Sequence, residues 1–205
     1  MNSRLLVFMT LLIPIAGAAQ SPARDSVVYD LAPPPSSRLV VRTGKAGLLG
    51  FAGHEHLIQA REFSGRIVYY PHQPDVSHVT VSIATGRLEV LTPPDTAEIR
   101  KVTAAMRADV LDVPQYPEIT LTSQSVEKTG DTLRVRATLT MKGQTRTVPL
   151  AVGVHIGPDT LRATMTFTVR QSDYGIRPYR GGPGGAVRVA DAVTFDIDAI
   201  ALRRP

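Results

Sequence analysis

The stretch Thr132-Leu133-Arg134-Val135-Arg136-Ala137-Thr138-Leu139-Thr140-Met141 alternates polar and apolar side chains without a slip. Successive side chains of a strand point to opposite faces, so this stretch has one apolar face and one wet face. The pattern recurs downstream in Val148, Leu150, Val152, Val154 and Ile156, then in Leu161, Ala163, Met165, Phe167 and Val169. A last run carries Val193, Phe195, Ile197 and Ala199. Gly130 precedes the first run, and Lys142-Gly143 and Gly157-Pro158-Asp159 separate the next ones, which are hairpin signals. Amphipathic strands in succession must bury their apolar faces against one another, which calls for an antiparallel barrel or sandwich.

Upstream the pattern is shorter and more broken. Residues 27–31 fit a strand, and Ala32-Pro33-Pro34-Pro35-Ser36-Ser37 interrupts it, because proline fixes its φ and lacks an N–H. Residues 38–43 resume the extended pattern, and the glycine-rich residues 44–53 lead into Gly53-His54-Glu55-His56. A strand is expected over 62–70 and a turn over 71–75. The next strand, marked by Val79, Val81 and Ile83, is read as running on through Leu88 and Val90. One segment leaves the two-residue rhythm. Asp95 and Glu98 have the capping-box spacing, and Ile99, Val102, Met106 and Val110 recur at helical steps. This predicts one principal helix, ending before Pro114, whose apolar stripe packs on one end of the sheet structure. About eight or nine strands with one helix come close to a small closed barrel.

The N-terminus reads differently. Arg4, an apolar run over 5–15 and Ala16-Gly17-Ala18 fit a secretory signal over residues 1–18, cut near Ala18 or Ala19. The run falls short of the roughly 20 residues that span a bilayer, so no integral membrane anchor is expected. The barrel domain is placed at 25–203, in a periplasmic or secreted protein. The 205 residues contain no cysteine, which removes disulfides, thiol catalysis and thiolate metal sites. A net charge of +5 from scattered basic residues argues against nucleic acid as a partner. No tryptophan is present, which weakens the case for a sugar-binding platform.

Two groups of residues carry candidate chemistry. His54 and His56 stand one residue apart, and on an extended segment both rings point the same way, as two metal ligands would. A third ligand would have to come from His72, His78 or His155 through folding, and the helical two-histidine protease motif is absent. The same histidines also fit hydrogen bonds to backbone, or contact with a polar ligand head. Residues 171–185 form a long glycine-rich loop with Tyr174, Arg177, Tyr179 and Arg180. Arginine's planar fork suits phosphate oxygens, so this loop is read as bordering an entrance, beside the plainer reading of a solvated loop. No Gly-x-Ser-x-Gly elbow occurs, and neither an enzyme activity nor a cofactor is called for. An eight-stranded barrel either fills its interior or holds one small ligand, and the inward faces leave both open.

Four pieces in order carry a family resemblance. They are Phe63-Ser64-Gly65-Arg66-Ile67, residues 106–113 leading into Tyr116-Pro117-Glu118-Ile119-Thr120-Leu121-Thr122-Ser123, then Leu139-Thr140-Met141-Lys142-Gly143-Gln144-Thr145, and Ser172-Asp173-Tyr174-Gly175-Ile176. The chain resembles the YceI-like family of exported lipid (polyisoprenoid)-binding proteins. Leu121 and Tyr174 stand where that family usually has phenylalanine, and Gly53-His54-Glu55-His56 resembles only a subset of it. The resemblance implies an all-β fold, an eight-stranded antiparallel lipocalin-like barrel, with a long apolar tunnel. It implies a long-chain isoprenoid-like lipid as partner and admits a homodimer. On it, Leu139, Leu150, Val152, Val154, Met165, Phe167 and Phe195, with Leu133 and Val135, line the lumen. His54, His56, Arg177 and Arg180 then stand at the mouth. Two readings from other classes stand beside it: a metal-binding protein or metal-dependent hydrolase built on His54 and His56, and a solid barrel whose loops bind a protein.

Overall fold

The computed structural model describes residues 25–46, 55–91, 96–130, 132–181 and 187–205. In chain order its strands are β1 (Val27–Leu31), β2 (Arg38–Ala46), β3 (His56–Ala60), β4 (Phe63–Tyr69), β5 (His78–Ala84) and β6 (Leu88–Val90). After the one α-helix among the described residues, α1 (Thr96–Ala105), come β7 (Glu118–Thr129), β8 (Thr132–Met141), β9 (Gln144–Ile156), β10 (Thr160–Arg170), β11 (Arg180–Gly181) and β12 (Val187–Arg203). Every pairing is antiparallel, from β1 through β4, β5, β7, β8, β9 and β10 to β12, which returns to β1. This closes a barrel of eight strands. The four alternating runs are β8, β9, β10 and β12, and their apolar residues face inward: Leu139 lies opposite Leu121, Val152 opposite Leu133, and Phe167 opposite Phe195.

Three of the eight strands are broken at one level. β2 continues β1 along β12, β3 continues β4 along β2, and β6 continues β5 along β3. The proline run makes the first break, and Ser37 repairs it. Its hydroxyl donates to the Ile200 carbonyl at 3.0 Å and accepts from the Ile200 N–H at 2.9 Å, while the Ala32 N–H also reaches that carbonyl. The third break is a 3-10 turn at Thr85–Arg87. There the Thr85 hydroxyl donates to the Tyr116 carbonyl at 2.8 Å. The strand read as running from Val79 to Val90 is therefore two strands, because Thr85 turns its hydrogen bonds toward residues 116–117. β3 was not legible, since Leu57 and Ile58 break the alternation.

The end that carries α1 is the upper one. The lower end holds the β4–β5 and β9–β10 turns and the C-terminus. α1 relaxes into a π-helical turn, Met106–Val110, closed by the Leu111 N–H on the Met106 carbonyl at 2.9 Å. Met106 and Leu111 are buried in the main core, with Ile99, Val102 and Val110 packed against it, as the helical stripe predicts. Asp95, read as the cap, lies outside the described residues, as does the leader. Lys142 holds this lid from the β8–β9 turn, its ammonium donating to the Val110 carbonyl at 2.9 Å. Gly143 has φ +71, and a Cβ there would fall 2.8 Å from the Tyr116 ring.

One wall is incomplete. The register of β9 with β10 runs only from Leu161 opposite Ile156 to Thr164 opposite Gly153. Above it β9 keeps its ladder with β8, and β10 its ladder with β12. Pro149, which has no N–H to give, lies in this stretch.

Candidate functional site: the barrel interior

The interior is apolar along its length but unevenly filled. Leu139, Leu150, Val152 and Phe195 are buried, as is Val135. Val154, Met165 and Phe167, with Val41, Leu121 and Ile197, point the same way yet stay only half-buried while packed against the main core. A solid core buries such residues fully, whereas these keep part of their surface accessible. The rings of Phe167 and Phe195 stack across two strands, with centroids 4.8 Å apart and planes 4° from parallel.

Two cavities open onto this interior. One of about 100 Å³ lies under the lid, against Val41, Ile58, Met106, Ile176 and Phe195. Its polar lining is Thr43 and Gln171, whose amide donates to the Ala190 carbonyl at 2.8 Å. The other, of about 390 Å³, is at the lower end between Tyr69, Pro74, Leu133, Val154 and Ile156, with Lys128, Gly130 and His155 at its rim. Ligand pockets span roughly 300–1,000 Å³, so the lower cavity has the size of a binding site and the upper does not.

The motif Ser172-Asp173-Tyr174-Gly175-Ile176 is a stopper. A 3-10 turn, Gln171–Tyr174, ends at Gly175 with φ +68, and the Ile176 N–H returns to the Gln171 carbonyl. The Asp191 carboxylate fixes the turn, accepting from the Ser172 hydroxyl at 2.6 Å and from its N–H at 2.8 Å. Those two bonds hold the Asp191 carboxyl below the usual carboxylate range. Tyr174, 1% exposed, and Ile176 are buried in the upper core. The Tyr174 hydroxyl is buried without a hydrogen-bond partner, and burial, aided by Asp173, pushes the phenol up against the opposing pull of Arg146.

Arg177 and Arg180 follow the stopper and are exposed at the upper end. His56 is on β3, 9% exposed, opposite Thr43, whose hydroxyl accepts the His56 N–H at 3.2 Å. His54 lies outside the described residues. His78 lies opposite Val68 and His155 opposite Arg162, both at the lower end, and His72 is in the β4–β5 turn, so folding carries all three away from His56. Among the described residues no three His, Asp or Glu side chains converge to hold a metal. The lower cavity and Lys128 were not anticipated from the sequence.

No helix among the described residues is long and apolar enough to cross a membrane. The sequence model of the YceI-like domain matches residues 38–201. A UPF0312 protein of Pseudomonas putida is 31% identical over 145 residues, covering 67% of this chain and 68% of that protein. Protein YceI of Escherichia coli O157:H7 is 33% identical over 90 residues, 44% of each chain. Among solved structures, Burkholderia cenocepacia BcnA superposes with a TM-score of 0.63 at 18% identity, over 80% of this chain and 95% of that one. A polyisoprenoid binding domain from Saccharophagus degradans gives 0.63 at 13% identity, over 86% and 98%. These two share the fold. By the match over most of its length, the chain belongs to the YceI-like domain family.

Proposed function

We propose that this protein is an exported carrier that holds an isoprenoid-like lipid along the inside of its barrel. The observation that carries the reading is the row of inward apolar residues, Val154, Met165, Phe167 and Ile197 among them, that stay half-buried in the barrel. The fold is shared with a domain described as polyisoprenoid binding. Each methylene moved from water into such an interior contributes about 0.8 kcal/mol, so affinity grows with tail length and needs no reacting group. The lower cavity would receive one end of the chain, and Val154, half-buried between it and the bore, leads on toward Met165 and Phe167. Export is the part of the reading that rests on the leader sequence alone.

Organic extraction of the purified protein followed by mass spectrometry tests the reading, and a co-purified prenyl lipid is the expected result. Phe167→Arg, checked for folding by circular dichroism, places a charge in the bore and is expected to abolish uptake. Unchanged uptake in the folded variant would remove the inner face of β10 from the binding surface.

A further inference from the structure

We infer that the lower mouth, rather than the loop of Arg177 and Arg180, receives the polar head of the ligand, and that this head is anionic and held by Lys128. The inference rests on the carrier reading and adds to it the class of ligand, an amphiphile with one anionic group, and the end by which it sits.

Three observations carry it. The upper end is shut: Met106, Leu111, Tyr174 and Ile176 are all buried there, and the space beneath them is about 100 Å³. The lower end holds the larger cavity, about 390 Å³, with apolar walls that include Leu133 and Val154 of the bore. Ile156 stands at its edge with 41% of its surface exposed, so the apolar lining reaches the outside.

The third observation is Lys128 itself. In the β7–β8 ladder Lys128 lies opposite Leu133, just as buried Val126 lies opposite buried Val135. It therefore occupies the inward row, at the point where that row meets solvent. Glu127 occupies the outward row, opposite Arg134, and His155 the outward row, opposite Arg162. Among the described residues, none that lines the cavity is acidic and Lys128 makes no ion pair. An ammonium over an apolar floor matches a ligand whose charge ends a hydrocarbon tail. A lysine acts as a point charge, so a phosphate and a carboxylate would both satisfy it through a charge-assisted hydrogen bond. A prenyl phosphate and a fatty acid are the two sources of that chemistry.

Isothermal titration calorimetry with farnesol, farnesyl phosphate and palmitate tests the assignment on the wild type, Lys128→Met and the double variant Arg177→Ala, Arg180→Ala. The wild type is expected to prefer the phosphate to the alcohol. Lys128→Met should lower that preference about tenfold, the scale of one charge-assisted bond, with farnesol affinity unchanged. The arginine variant should keep the preference. Palmitate binding that weakens in Lys128→Met identifies the carboxylate as a source and supports the assignment equally. Equal affinity of the wild type for alcohol and phosphate overturns it, as does an undiminished preference in Lys128→Met or a lost preference in the arginine variant. If the wild type binds none of the three, the carrier reading falls and the assignment with it.

Discussion

Tyr174 shows what a single buried hydroxyl costs. Its ring fills the stopper as a phenylalanine would, but its hydroxyl is buried with nothing to bond. A buried polar group without a partner costs about 1–3 kcal/mol. Tyr174→Phe is therefore expected to stabilise the protein by about 1 kcal/mol, read as a higher denaturant midpoint at unchanged slope. A lower midpoint would mean that the hydroxyl has a partner in solution. Lys142 and Gly143 were legible as a turn, but not the Val110 carbonyl or the Tyr116 ring that require them. Lys128 was hidden for a local reason. The register of β7 slips between Ser123 and Ser125, so the inward row changes from Leu121 and Ser123 to Val126 and Lys128. A bulge of one residue reverses the parity on which alternation is read.

At the scale of elements, the long strands were legible and the short ones were not. β8, β9 and β10 each carry a full alternating row, whereas β3 owes its existence to pairing with β2, and β6 to pairing with β3. The helical stripe was read correctly, since Met106 and Val110 do face the core. Breaks in strands are held by side chains, and Ser37 is the clearest case, fully buried and bonded both ways to Ile200. Ser37→Ala leaves the Ile200 N–H short of a partner, while the carbonyl keeps the Ala32 N–H, and is expected to cost about 1–3 kcal/mol. For a chain of this size each kcal/mol lowers the melting temperature by about 2–4 °C, so a drop of several degrees in calorimetry checks it. An unchanged melting temperature would show that water replaces the hydroxyl at no cost.

Across the whole molecule, exposed carboxylates tie together segments far apart in sequence. Asp30 joins Arg204 near the C-terminus to Arg66 of β4, and Asp198 of β12 grips Arg162 of β10 through two bonds. Arg204 lowers the pKa of Asp30, Arg162 that of Asp198, and Ser172 that of Asp191. A carboxyl held lower in the folded than in the unfolded chain stabilises the fold above its unfolded value, about 3.9 for aspartate. That stabilisation is lost as pH falls through the folded value. The melting temperature is thus expected to hold between about pH 7 and 5 and to decline below about pH 4. Added salt should shrink the part of that decline due to Asp30 and Asp198, whose ion pairs are open to solvent. A decline that begins near pH 6 would point to histidine instead.

Alternation left barrel and sandwich open and the family resemblance pointed to the closed ring, but its unequal filling was not legible, because periodicity reports which face a residue takes and not how much space lies before it. The incomplete wall bears on that space. Where β9 and β10 share no ladder, the staves meet at a seam, and drawing them further apart there ruptures no main-chain bond between them. Neither a main-chain ladder nor a cysteine staple fixes the girth of the bore along that line, so a carrier of the kind proposed would offer guests of unequal thickness a wall free to give.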